Sequence, residues 1–344
     1  MFSTDRVEDL LEAGHSNRAF PGAVWSVGDV NNTIGGGVVG VLDPDQPDQP
    51  MRPDTVFDVA SLTKVLAVWA SIGALVTAGD LRLDQRLAPF WPEVEGHPLG
   101  QVTAHQLLTH TAGLPLRANL KSLYGTDPAV VRAGVLAEAL QRPPGEAVEY
   151  TDRAALILGY LVEYLSGQPL DRFVTERLWG PLGMASIQFG PLPVDVAVRC
   201  APTEFDTEAG VRIKATPHDY SARLLGVCGI AGVFSVADDL GRFLQYMLSS
   251  DAPANNGFGR EWVTQSLSIQ TGDLDASRGF FWQPAPGAAL DEDVWVHYGF
   301  TGTAMWISPR LGKWATLLTN KLFYTRDREP LMGIRDQFRE IVFG

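Results

Sequence analysis

One stretch limits what this chain can fold into more than any other: Val59-Ala60-Ser61-Leu62-Thr63-Lys64-Val65-Leu66 and the apolar run after it. From Val65 to Ala78 the large residues are Leu66, Val68, Trp69, Ile72, Leu75 and Val76, and Gly79 supplies a C-terminal stop. A helix that is apolar all round is a buried one, so the rest of the chain must be built around it. Ser61 and Lys64 are three apart and share one helical face, with side chains in reach of each other. A lysine near the start of a buried helix is costly unless chemistry requires it. Desolvation can strip its charge and let it accept or relay a proton from the serine. Ser61 at the helix N-terminus would also have free N–H groups beside it that can stabilise an oxyanion. A capping serine with a lysine snorkelling to solvent is the alternative this stretch leaves open.

The chain of 344 residues, 45% apolar and 19% charged, can bury one large core or two packed domains. No apolar run of transmembrane length is read from it, and a mean hydropathy of +0.01 fits a soluble protein. A net charge of −13 disfavours nucleic acid and anionic membranes as partners. Cys200 and Cys228 are too few for a disulfide framework or a zinc site. Met1 to Glu8 carry early acids and no apolar signal-type core, which makes the cytoplasm the expected compartment.

Taken in order, Thr4–Ala13 reads as a helix, and Ala23–Val27 and Thr33–Leu42 as two strands joined by a turn. Between about 80 and 220 the periodicity is helical. Thr103 caps one helix, Pro128–Gln141 forms a second, Tyr150–Ser166 a third closed by Gly167, and Leu170–Leu178 a fourth. After about 230 the pattern turns to strands at Phe280–Gln283, Val294–His297, Ala304–Ile307 and Trp314–Thr319, before a final helix Leu331–Val342. These elements predict an α+β protein in which both chain ends (1–79 and 221–344) build one antiparallel sheet flanked by helices. Residues 80–220 are expected to form an inserted all-helical domain.

Two further stretches look chemical. Pro144-Gly145-Glu146-Ala147-Val148-Glu149-Tyr150-Thr151-Asp152 enters a helix, and locally Asp152 could be a cap and Tyr150 a packed ring. His297-Tyr298-Gly299-Phe300-Thr301-Gly302-Thr303 ends a strand in a polar turn, where a bulge or hairpin with an exposed His is the local alternative. Gly299 and Gly302 would let a substrate or another backbone approach closely. No G-x-S-x-G is present, which disfavours an α/β-hydrolase. His105 and His110 are five apart rather than the four that aligns zinc ligands on a helix, so His110 is expected to pack or support.

Together the three stretches carry an S-x-x-K, a Y-x-D and an H-x-G in that order. The chain thereby resembles the penicillin-recognising serine hydrolases, in particular the branch of class C β-lactamases, D-aminopeptidases and β-lactamase-like carboxylesterases. Leu107 to Leu114, Pro181-Leu182-Gly183-Met184, Ala231 to Ser235 and Leu317-Leu318-Thr319-Asn320 also look like that family, over about residues 15 to 325. The resemblance implies a β-lactamase/transpeptidase-like fold with Ser61, Lys64 and Tyr150 as catalytic residues. It further implies an oxyanion hole of the Ser61 and Phe300 N–H groups, and substrate-binding roles for Asp152, His297 and Gly299. Whether Lys64 or Tyr150 is the general base stays open. His218-Asp219 resembles a family segment with a structural role.

Two departures bear on substrate. Asp152 stands where β-lactamases usually have Asn, and His297 where they have a carboxylate-binding Lys. Arg117 follows a loop resembling one that reaches the class C active site, and it could replace the missing cation. The expected activity is hydrolysis of an ester or small amide through an acyl-enzyme, carboxylesterase- or D-aminopeptidase-like, with weak or no β-lactamase activity. An acyltransferase of a biosynthetic pathway and a non-turnover penicillin-binding sensor are the alternatives. No metal or organic cofactor is implied, and the expected partner is a small ester, amide or short peptide.

Overall fold

Asp29 ends a strand and accepts hydrogen bonds from the N–H groups of Asn31 and Asn32, at 2.7 and 2.9 Å, closing the turn anticipated there. The hairpin it makes, Gly22–Asp29 with Thr33–Gly40, places Trp25 opposite Gly37. Next to Gly22–Asp29 lies Lys313–Thr319 from the far end of the chain, with Trp25 opposite Leu317. Ala304–Ser308, Trp295–Tyr298 and Gln283–Pro284 complete a six-stranded antiparallel sheet. The computed structural model describes residues 2–116, 119–249, 257–289 and 292–344; Arg117 lies outside the described residues.

Alternation sorts the sheet's side chains onto two buried faces. Trp25, Val296, Trp306 and Leu317 pack with Val7, Leu11, Phe338 and Val342 of the terminal helices Thr4–Ser16 and Glu329–Phe343. On the other face Trp295, Met305, Ile307 and Leu318 join a larger core that includes Leu66 and Trp69. His297 comes two residues after Trp295 and so belongs to this second face.

The apolar stretch is buried as anticipated, but it is not one uniform helix. A 3₁₀ turn over Ala60–Leu62 leads into a π-helical segment Lys64–Trp69 and an α-helix Ala70–Ala78, ended by Gly79 at φ +81°. Residues Ala60–Ala78 are also long and apolar enough, at mean hydropathy 1.5, to meet the length test for a membrane span. That corrects the sequence expectation; the segment is 83% buried inside the fold. Trp69 donates its indole N–H to Ser266 Oγ at 2.8 Å and packs edge-on against Phe243 and Phe258. Each such large side chain contributes about 1.5–3 kcal/mol through burial.

In the middle of the chain, Thr103 and Gln106 form a reciprocal capping box at the start of Ala104–Leu108. Thr151 caps the helix Asp152–Ser166, which Gly167 closes at φ +67°. The segment 80–220 is mainly helical but not all-helical. Gln188–Phe189 pairs with Val233–Ser235, and Phe205–Asp206 forms a hairpin with Val211–Arg212. The helices Ala237–Ser249 and Arg260–Ser266 likewise interrupt the region expected to hold strands. Ala237–Ser249 buries Leu240, Phe243, Leu244 and Met247 along one stripe, a helical period that the sequence expectation did not include.

Candidate active site

Ser61, Tyr150 and Phe300 line both of two adjoining cavities, of about 370 and 850 Å³. The helix start supplies Ser61 and Lys64, the loop before Asp152–Ser166 supplies Tyr150, and the turn after Trp295–Tyr298 supplies Phe300. Lys64 is fully buried and donates to Ser61 Oγ at 2.9 Å and to the Ile230 carbonyl at 2.8 Å. Its Nζ also lies 2.8 Å from Oδ1 of Asp152, whose side chain is half exposed. The i,i+3 spacing therefore does bring serine and lysine together, and the Tyr150 ring centre sits 5.4 Å from the same Nζ.

The charge state of Lys64 differs from the sequence expectation. Burial does push the ammonium down, but the Asp152 carboxylate and the Tyr150 oxygen more than reverse this, and the net shift is upward. For Asp152, burial acts to raise the carboxyl and the Lys64 charge overcomes it, so the net shift is downward. The pair is ionised on both sides. A buried ammonium costs several kcal/mol to desolvate, and here a carboxylate, a carbonyl and a hydroxyl all compensate it.

His297 is buried, and its Nδ1 donates to the Phe281 carbonyl at 2.8 Å. A carbonyl can only accept, so the proton sits on Nδ1. Burial, with the Lys64 and Arg278 charges, pushes the imidazole down to about 3 against the opposing pull of the Phe281 and Ser61 backbone. Nε2 is buried without a hydrogen-bond partner among the described residues, so His297 offers the site a neutral imidazole rather than a cation. Gly299 lines the smaller cavity, and its missing side chain has a further cause. A Cβ there would lie 2.0 Å from Thr303 Oγ1 and 2.4 Å from the Val59 carbonyl, so the nucleophile loop and this turn touch backbone to backbone.

His110 supports the site from behind, as expected. It is buried, adopts φ +57°, accepts a long 3.4 Å bond from the Thr151 N–H, and packs 4.6 Å from Tyr150 and 5.1 Å from Phe281, centre to centre. Burial holds its imidazole well below the usual range, with the charges of Arg278 and Lys64 adding to the effect. Thr319 and Asn320, in another of the family-like stretches, are structural: Thr319 Oγ1 bonds the Gly302 carbonyl at 2.9 Å and Asn320 ties Gly22 to Leu42.

Sequence reasoning missed the cations of the smaller cavity. Arg278, Lys321, Arg328 and Arg335 all line it, and Asp336 is the carboxylate among its lining residues. Lys321 bonds the carbonyls of Thr325 and Asp327, and Arg335 those of Gly299 and Thr303, which are neutral acceptors. Burial and the neighbouring Arg335 and Arg328 push Lys321 down to about 8, and burial pushes Arg335 down to about 10. Arg278 lies 5.5 Å from the Tyr150 ring centre, and its Nε has no hydrogen-bond partner among the described residues. The signal available in the sequence was a charge set directly against the buried run Gly279-Phe280-Phe281-Trp282.

A serine bonded to a buried lysine at the meeting point of two cavities is the site of a serine hydrolase, and the comparisons agree. The family model described as Beta-lactamase matches residues 7–337, and the chain belongs to that family. A putative D-alanyl-D-alanine carboxypeptidase of Escherichia coli K12 is 27% identical over 314 residues, covering 80% of this chain and 71% of that one. An N-acetylmuramyl-L-alanine amidase of Bacillus subtilis is 28% identical over 313 residues, covering 79% and 69%. Among solved structures, a class C beta-lactamase from Rhodobacter sphaeroides superposes with a TM-score of 0.76 at 17% identity, covering 97% and 99% of the two chains. EstCE1, a hydrolase with promiscuous acyltransferase activity, does so with 0.77 at 20%, covering 99% and 98%.

Proposed function

We propose that Ser61 is the nucleophile of a hydrolase acting on an ester or small amide through an acyl-enzyme. The observation that carries this reading is the full burial of Lys64 with its ammonium on Ser61 Oγ, Asp152 and the Ile230 carbonyl. An ammonium so held has no lone pair, so it cannot take the serine proton. Tyr150, beside it, is the proton acceptor in this reading. Tyr150 reacts as its phenolate, whose charge the Lys64 ammonium beside it offsets; as Ser61 Oγ bonds to the carbonyl carbon, its proton passes to that oxygen and leaves a neutral phenol. The N–H groups of Ser61 and Phe300 receive the oxyanion. Tyr150 returns the proton to the leaving group, and water then enters and reverses the sequence.

A carboxylesterase- or D-amino-acid-amidase-like substrate fits better than a β-lactam, because neutral His297 stands where the family's lactamases have their lysine. The cations of the smaller cavity favour a substrate with a negative group on that side of Ser61. They stand out in a chain of net charge −13, and a cleft focuses such a field. The test is a single-preparation screen of p-nitrophenyl esters with neutral and carboxylate-bearing acyl chains, D-amino-acid amides and a chromogenic cephalosporin. Turnover of the first two classes with little of the third is expected. Cephalosporin turnover with kcat/KM in the upper part of about 10⁴–10⁸ M⁻¹s⁻¹ would overturn the substrate assignment.

A further inference from the structure

Behind the nucleophile lies a second buried charged pair that the mechanism above does not use. Asp58 and His218 are 2% and 7% exposed. Asp58 Oδ1 accepts the Ala60 N–H at 2.9 Å, and Oδ2 accepts both the His218 N–H at 2.8 Å and His218 Nδ1–H at 2.9 Å. The peptide it grips is an unusual one. Ala60, directly before Ser61, has φ +51°, a left-handed conformation that costs a non-glycine residue of order 1–3 kcal/mol and persists where its surroundings enforce it.

The same pair reaches the other side of the site. The His218 ring is stacked on Phe300, with centres 5.9 Å apart and planes at 22°. Thr301 Oγ1 donates to the Asp58 carbonyl at 2.7 Å, and Thr303 Oγ1 to the Val59 carbonyl at 3.0 Å. The carboxylate thus holds the backbone just before Ser61, the imidazole packs on the Phe300 ring, and the Asp58 and Val59 carbonyls tie the two segments whose N–H groups the proposed mechanism aims at the oxyanion. We propose that Asp58 and His218 are positioning residues that set the spacing of the Ser61 and Phe300 N–H groups; this rests on the serine-hydrolase mechanism given above. Burial alone would push the His218 imidazole down, but the Asp58 carboxylate, with Asp219 and Glu204 beyond it, raises it. Asp152 and the Arg223 guanidinium, which donates to the His218 carbonyl, also face the pair.

The experiment compares an oxoester with its thionoester, whose sulfur accepts hydrogen bonds poorly, in wild type, His218→Ala, His218→Asn, Asp58→Asn and Phe300→Leu. A residue that acts through the oxyanion hole lowers kcat on the oxoester and spares the thionoester. The oxoester-to-thionoester ratio of kcat/KM is expected to fall by up to about 10²-fold in His218→Ala. His218→Asn, which keeps a donor for Asp58, should recover part of that loss. Phe300→Leu changes a side chain in the open cleft, so it keeps the test alive if the buried variants misfold, and its ratio should fall as well. A ratio that stays at the wild-type value in every folded variant, or equal losses on both substrates, overturns the inference. Labelling by a fluorophosphonate is read in parallel. Wild type that takes no adduct on Ser61 overturns the hydrolase mechanism itself, whereas full labelling with unchanged ratios overturns the positioning role alone.

Discussion

Lys64 Nζ lies 2.8 Å from Asp152 Oδ1 across the mouth of the cleft, joining a lysine with no exposed surface to a carboxylate that is half exposed. That contact decides the proton chemistry. Burial drives the amine toward its neutral form, but with Asp152 and the Tyr150 oxygen beside it the ammonium persists, and the proposed mechanism therefore gives the basic role to Tyr150.

The pair also sets a pH window for stability. Asp152 is shifted down, so its contribution is present above the ordinary aspartate value of about 4 and is lost as pH falls through its lower folded value. Lys64 is shifted up, so its contribution is present below the ordinary lysine value of about 10.4 and is lost as pH rises through its higher folded value. Asp152→Asn should therefore lower Tm by a constant amount between about pH 5 and pH 9, with the difference shrinking at both extremes. Screening at the half-exposed carboxylate keeps the loss to roughly 1–3 kcal/mol, below that of a fully buried pair. Thermal melts across pH check this, and a difference that grows toward acid would contradict it.

Ser61→Ala should abolish the single adduct that a serine-directed phosphonate leaves on the wild-type protein. Intact-mass spectrometry reads the result directly, and an adduct retained on another serine would reassign the nucleophile.

Lys64→Ala and Tyr150→Phe should each lower kcat by roughly 10²–10⁴, the usual scale for groups that move or balance the reacting proton. Tyr150 is 38% exposed, so its variant should melt like wild type, and the rate loss can be read without a folding correction. A near wild-type rate in Tyr150→Phe on an activated ester would remove Tyr150 from the proton path.

Arg278→Gln should raise KM for carboxylate-bearing esters by roughly 10–100-fold, as loss of a charge-assisted bond of about 1.5–3 kcal/mol implies, and leave neutral esters almost unchanged. Steady-state kinetics on a matched pair of esters separates the two. Equal effects would mean that Arg278 shapes the Tyr150 environment, 5.5 Å away, rather than reading the substrate.

His297 should show no imidazole titration between pH 5 and 8, because burial and two nearby cations hold it down to about 3. NMR of the ring protons checks this. A His297 that titrates near 6.5 would be a cation at the pH of a mildly acidic assay and would reopen carboxylate binding at that position.

Much of this was legible in the chain because it is local. An apolar run with one lysine is a buried helix start whatever surrounds it, Thr103 and Gln106 cap a helix they themselves begin, and Gly167 stops one by its own backbone freedom. The order of Ser61, Lys64, Tyr150 and His297 likewise reads off without a structure. Charge balance does not, because it depends on which groups meet across long separations. Asp152 comes to Lys64 from 88 residues away by the numbering, and with Tyr150 it turns a candidate base into a fixed cation. Nothing local in the chain marks Arg278 until the fold sets it over Tyr150, and Gly299 could admit a substrate or another backbone until Val59 is seen to lie against it. Asp58 and His218, 160 residues apart, carry no motif that joins them. Sequence determined which chemical groups the site has; the tertiary structure decided their charge and spacing, because desolvation and Coulomb interaction act through space and not along the chain.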